Sequence, residues 1–112
     1  MTFDSILSDL KNKKYAPIYF LMGDESYFID KITDYVVNNV LNEADKAFNQ
    51  SILYGKDVDI ASVINAAKRF PMMSEHQVIV VKEAQNIRAI EDLVYYAEQP
   101  LKSTLLVINY KY

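Results

Sequence analysis

The stretch PIYFLMGDESYFIDK, residues 17–31, decides the fold. Pro17 to Met22 is a short apolar run of the kind found in a buried strand. Gly23-Asp24-Glu25-Ser26 breaks it, and Phe28, Ile29, Ile32, Tyr35, Val36 and Val40 then recur at helical spacing, with Asp24 or Ser26 suited to the N-cap. A strand, a glycine and a helix in this order have the layout of a phosphate-binding loop. A working loop needs a second glycine followed by Lys-Ser or Lys-Thr. Its backbone N–H groups and Lys cradle the phosphates while the hydroxyl holds Mg²⁺. Here Ser26-Tyr27-Phe28-Ile29-Asp30 fills that stretch, so a phosphate would meet bulky side chains and carboxylates. Gly23, Asp24 and Glu25 therefore read as a degenerate phosphate loop that holds no nucleotide. Asp24, Glu25 and Asp30 read as acids complementing a helix N-terminus rather than as catalytic groups.

The same alternation continues on both sides. Upstream, Phe3, Ile6, Leu7 and Leu10 follow Thr2 at helical spacing, and Thr2 suits an N-cap. Downstream, a polar connection over 42–46 leads to an expected second strand from Phe48 to Tyr54, stopped by Gly55. Asp57 or Asp59 then caps a helix carrying Ile60, Val63, Ile64 and Ala67, with Pro71 as its terminator. Gln77 to Val81 groups β-branched residues, as in a strand covered on both faces. Ile87, Ile90, Leu93, Val94 and Ala97 predict another helix closed by Pro100, and Thr104 to Tyr110 predicts the last strand. This order implies βαβ units with right-handed crossovers: an α/β fold of three layers, a parallel sheet with helices on both faces. The chain reads as one domain over residues 1–112. Its last strand has no closing element after it, so a truncated portion of a longer protein is the expectation.

Composition narrows the function. The chain has 112 residues, of which 51% are hydrophobic and 24% charged, values typical of a folded domain. It has no cysteine and one histidine, so neither a disulfide nor a zinc site is expected. No apolar run approaches the roughly 20 residues of a membrane span, no membrane association is expected, and a cytoplasmic location is the default reading. A net charge of −3 argues against direct nucleic-acid binding, which requires clustered cations. Lys11, Lys13 and Lys14 read as cations at a helix C-terminus.

A nucleotide hydrolase would end its third strand in Asp-Glu to hold Mg²⁺. Val81-Lys82-Glu83 stands there instead, so the position of the metal acid carries the wrong charge. His76 has no nucleophile beside it in sequence and reads as a turn residue. Tyr95-Tyr96 is the tyrosine pair expected to be exposed, yet without basic neighbours it makes a poor base-stacking surface. Phe70-Pro71-Met72-Met73 is different, because it places large apolar side chains in a connection that should be polar. Phe70 could plug a helix end or the sheet edge. Two adjacent methionines cannot both point inward easily, and flexible Met side chains suit a protein-binding surface.

With these residues read, the chain resembles the N-terminal domain of the delta-subunit family of bacterial DNA polymerase III. PIYFLMGDESYFIDK (17–31), RFPMMSEHQVIVVKEA (69–84) and YAEQPLKSTLLVINY (96–110) carry the likeness. The resemblance implies an AAA+-like fold without a working nucleotide site, as 23–31 and 82–83 separately indicate. It also implies a non-catalytic clamp-loader subunit that binds and opens the sliding clamp in DNA replication. Its partners would be the clamp and, through a further C-terminal part, the other loader subunits; DNA would be met only indirectly. By match to the family, Met72 and Met73 would make the clamp contact, with Phe70 and Pro71 shaping the turn. That pair is often Leu or Phe followed by Phe, and Met73 departs from it in lacking a ring. Two alternatives stay open from the residues alone: a portion of an active ATPase, and a general protein-interaction domain.

Overall fold

The computed structural model describes residues 2–112. Among these, β1 (Ile18–Gly23), β2 (Gln50–Tyr54), β3 (Gln77–Lys82) and β4 (Thr104–Lys111) form one parallel sheet in the order β1-β4-β3-β2. Val80 of β3 lies beside Val107 of β4, which in turn lies beside Tyr19 of β1. The ladder extends past β1, where the carbonyl of Pro17 accepts the Leu106 N–H at 3.0 Å.

Successive strand side chains point to opposite faces, so the central strands feed two cores. On one face, α1 (Phe3–Lys11) and α2 (Ser26–Asn39) bring Leu10, Ile29, Ile32 and Val36 onto Val78, Val80, Leu105 and Val107. On the other, α4 (Ile60–Ala67) and α5 (Leu93–Ala97) bring Val63, Ala67, Leu93 and Tyr96 onto Ile79, Val81, Leu106 and Ile108. Both cores need an apolar residue at every position, which explains the unbroken runs Val78–Val81 and Leu105–Ile108. The three-layer α/β reading is the observed architecture.

Local chemistry sets the boundaries. Thr2 caps α1 in a reciprocal box with Ser5, as its hydroxyl suggested. The helix ends in a Schellman turn: Lys13 N–H bonds to Leu10 O and Lys14 N–H to Asp9 O, with Lys13 at φ 59°. The α2 cap is Glu25, neither Asp24 nor Ser26.

The expected polar connection over 42–46 is instead the start of α3 (Glu43–Asn49), because the Asn42 side chain caps it through Asp45 N–H at 2.8 Å. The strand expected from Phe48 therefore starts at Gln50, and Phe48 is an exposed helical residue. Asp59, one of the two cap candidates, caps α4. That helix stops at Ala67, before Pro71 can act on it. The single helix expected around Ile87–Ala97 is broken into 3₁₀ turns at Ala84–Asn86 and Ile90–Asp92 before α5, with Glu83 and Ala89 in left-handed conformation. No helix among the described residues is long and apolar enough to cross a membrane.

Candidate functional site: the loop after β1 and an exposed methionine turn

The loop after β1 is crowded by its own side chains. Gly23 ends the strand at φ +148° and delivers the chain to α2. A helix N-terminus offers free N–H groups to an anion, but here Glu25 Oε1 accepts the Tyr27 N–H at 3.0 Å. An internal carboxylate thus takes up a donor that a phosphate would use. Phe28 packs on Phe3 of α1 with ring centroids 4.8 Å apart, and Tyr27 stands edge-on to Phe28 at 5.2 Å. Asp30, one turn along, receives Lys111 Nζ from the end of β4 at 2.9 Å. The cleft that survives beside this loop is lined largely by Phe3, Ile6, Met22, Phe28, Ile29 and Ile32, a lining that suits apolar groups.

At the end of β3 a lysine stands where the sequence analysis looked for a metal-binding acid. β3 ends in Lys82, whose carbonyl accepts Gly55 N–H at 2.8 Å, and Glu83 follows at φ 56°. Among the described residues no group of three or more His, Asp or Glu side chains converges on a metal position.

At the other end of the sheet, residues 68–76 join α4 to β3 and carry the apolar turn. Phe70 is 79% exposed, Met72 61% and Met73 96%. Phe70 therefore plugs neither the sheet edge nor the helix end, contrary to one of the two expectations for it. Met73 adopts φ 56°, the left-handed region. A non-glycine residue held there costs of order 1 kcal/mol, and no burial of the Met73 side chain offsets it. Pro71, half-buried, fixes the backbone between Phe70 and Met72.

Polar groups anchor both flanks of the turn. At its start, Gln77 Nε2 reaches the carbonyls of Ala66 and Arg69. Thr104 Oγ1 donates to Ala67 O at 2.8 Å, and the Tyr96 hydroxyl donates to the same carbonyl at 3.3 Å. These bonds satisfy the carbonyls that a helix C-terminus leaves unpaired. In the middle, Asn49 at the end of α3 bonds to both backbone groups of Met72. Its Nδ2 donates to Met72 O at 2.9 Å and its Oδ1 accepts Met72 N–H at 2.6 Å. At the far end, His76 stands edge-on to Tyr15 with centroids 5.2 Å apart, and its carbonyl accepts the Ser74 hydroxyl at 3.1 Å. His76 is thus the turn residue its position suggested.

Tyr96 corrects an expectation. Tyr95 is exposed, but Tyr96 is 2% exposed, and its hydroxyl also accepts Leu101 N–H at 3.0 Å. The two tyrosines share no surface. Asn49, Gln77, Thr104 and Tyr96 form the support of the turn, a role the sequence reading gave to none of them. Asn49 was hidden inside an expected strand. Gln77 and Thr104 open strands and gave one usable signal, a polar residue leading an otherwise apolar run.

Comparison with known proteins bears on the family and the fold. DNA polymerase III subunit delta of Bacillus subtilis (strain 168) is 26% identical over 121 aligned residues, which cover 96% of this chain and 34% of that protein. The structure of the Bacillus subtilis DNA clamp loader delta protein superposes with a TM-score of 0.85 at 23% identity, over 99% of this chain and 36% of that one. A gamma subunit-related protein of DNA polymerase III from Thermotoga maritima shares the fold more distantly, with a TM-score of 0.56 at 12% identity, over 95% of this chain and 39% of that one. The chain spans about a third of the length of the delta proteins it matches, 34% and 36%. The family model for the DNA polymerase III delta subunit matches residues 19–111, from β1 to the end of β4, and takes in both the blocked loop and the methionine turn. By that match the chain belongs to the DNA polymerase III delta-subunit family.

Proposed function

We propose that this chain is the clamp-contacting, AAA+-like N-terminal domain of a longer clamp-loader subunit, itself without catalytic activity. Met72 and Met73 enter an apolar pocket on the sliding clamp, with Phe70 beside them and Pro71 fixing the turn. Binding energy that is larger for the open ring than for the closed ring shifts the clamp toward opening. ATP is used by other loader subunits, which contact this subunit through its remaining domains, and DNA is met only through the assembled complex.

The observation that carries this reading is Met73: a large apolar side chain, 96% exposed, on a strained backbone that polar anchors hold in place. Strain kept without any gain in core packing fits selection for an external contact. The blocked loop at Gly23, Asp24 and Glu25 supports the non-catalytic part of the reading. Among the described residues the outer edge of β1 has no strand beside it; Phe20 and Met22 there are exposed, and Phe20 borders a groove formed by Ile90, Val94 and Ala97. Such an edge suits further chain of the same subunit.

The test is clamp binding by surface plasmon resonance. Replacing Met72 and Met73 together by Ala weakens binding at least about tenfold on this reading, because hot-spot truncations cost about 2 kcal/mol or more. Unchanged binding refutes it.

A further inference from the structure

We infer that Asn49 is the positioning residue of the methionine turn, an inference that rests on the clamp-contact reading above. The Met72 and Met73 side chains point to solvent, so core packing cannot fix their direction. Polar bonds to the backbone must do so, and in the middle of the turn those bonds come from Asn49. Its amide meets Met72 as a neighbouring strand would, one donor and one acceptor on the same residue. A primary amide is suited to this task, since it offers both groups at one end of a short side chain.

Asn49 is itself firmly held. It is 2% exposed, closes α3, and precedes Gln50, which lies beside Val78 in the β2–β3 register. The turn is thus referenced to the sheet through a side chain from another crossover. Preorganising a binding loop raises affinity by removing the ordering cost at the moment of contact. Asn49 touches no partner in this scheme. It acts through Met72, and its loss should free the turn to sample other directions.

The experiment uses the intact chain and the sliding clamp encoded in the same genome. Asn49→Ala and the near-isosteric Asn49→Asp are compared with wild type, and each is also placed on the Met72→Ala, Met73→Ala background. Asp keeps an acceptor for the Met72 N–H but sets a carboxylate against the Met72 carbonyl. Each substitution alone should weaken clamp binding about tenfold, the scale of one or two buried hydrogen bonds. On the double-Ala background neither should weaken it further, because the turn no longer carries the contact.

A folded Asn49 variant that binds like wild type overturns the inference, as does an additive loss on the double-Ala background. Should the double-Ala chain bind as wild type does, the clamp-contact reading falls first, and Asn49 with it. Hydrogen exchange on the wild-type chain tests the bond even where a variant does not fold. The Met72 amide should be protected, and exchange at the rate of an unstructured peptide contradicts its capture by Asn49.

Discussion

The carboxylate of Glu25 accepts the backbone N–H of Tyr27 at 3.0 Å across the first turn of α2. In a phosphate-binding loop that N–H would face the ligand. The residues around it add bulk and negative charge, and Lys82 stands where a hydrolase would place its metal-binding acid. Thermal unfolding with and without millimolar Mg-ATP should give the same midpoint. Replacing Phe28-Ile29 by Lys-Thr should not create ATPase activity. A rise of several degrees with Mg-ATP in the wild-type chain contradicts the blocked-loop reading.

Met73 allows stability and binding to be moved in opposite directions. Met73→Gly relieves the left-handed strain, partly offset by a more flexible unfolded chain, and should stabilise the fold by up to about 1 kcal/mol. The same change removes the proposed contact and should weaken clamp binding about tenfold. Denaturant unfolding and clamp titration on one protein sample check both. Loss of stability without loss of binding would place Met73 in the fold rather than the interface.

Gly55 follows β2 at a point where the backbone after β3 comes close. A Cβ there would lie 2.0 Å from Glu83 O and 2.9 Å from its carbonyl carbon. Neither is a flexible side-chain atom, so the strand end itself must move. Gly55→Ala should lower stability by about 1–3 kcal/mol, the range for forced overpacking. A denaturant midpoint equal to wild type contradicts this close approach.

Asp59 gives the fold a specific acid sensitivity. Its side chain caps α4 through Ser62 N–H at 2.8 Å, and the hydroxyl and backbone N–H of Ser62 together hold its pKa below the ordinary carboxylate value of 3.8. A depressed folded-state pKa means that the stabilisation is fully present above the ordinary, unfolded value of 3.8. It is lost as pH falls through the lower, folded value. Asn caps comparably without titrating, so Asp59→Asn is the reference. Wild type should lose stability relative to Asp59→Asn as the pH is lowered below 3.8. A difference that stays constant to pH 2 would dismiss the charged cap.

The sequence revealed what depends on local pattern. Val78–Val81 is apolar at every position because two helical layers cover β3, and that alone implied the buried parallel sheet. Gly23 followed by bulky residues was enough to place the break between β1 and α2. Hidden from it were features made by one residue acting on distant backbone. Asn42 turned an apparent connection into α3 by capping it, which shortened the second strand. Left-handed Glu83 and Ala89 divided an apparently continuous helix. The methionine turn was visible as misplaced hydrophobicity, but its anchor was not. Asn49 lies 23 residues from Met72 in sequence, and no periodicity links an amide to the backbone it will hold.

Clamp affinity of the chain carrying both Met72→Ala and Met73→Ala, measured beside its unfolding midpoint, tests the proposed contact most directly. Both side chains face solvent, so the midpoint should change little while affinity falls at least about tenfold. Met73→Phe, supplying the ring often found in the family, should retain or strengthen binding. Unchanged affinity together with a loss of several kcal/mol in stability would show that the methionines serve the fold, and the contact would have to be sought elsewhere on the surface.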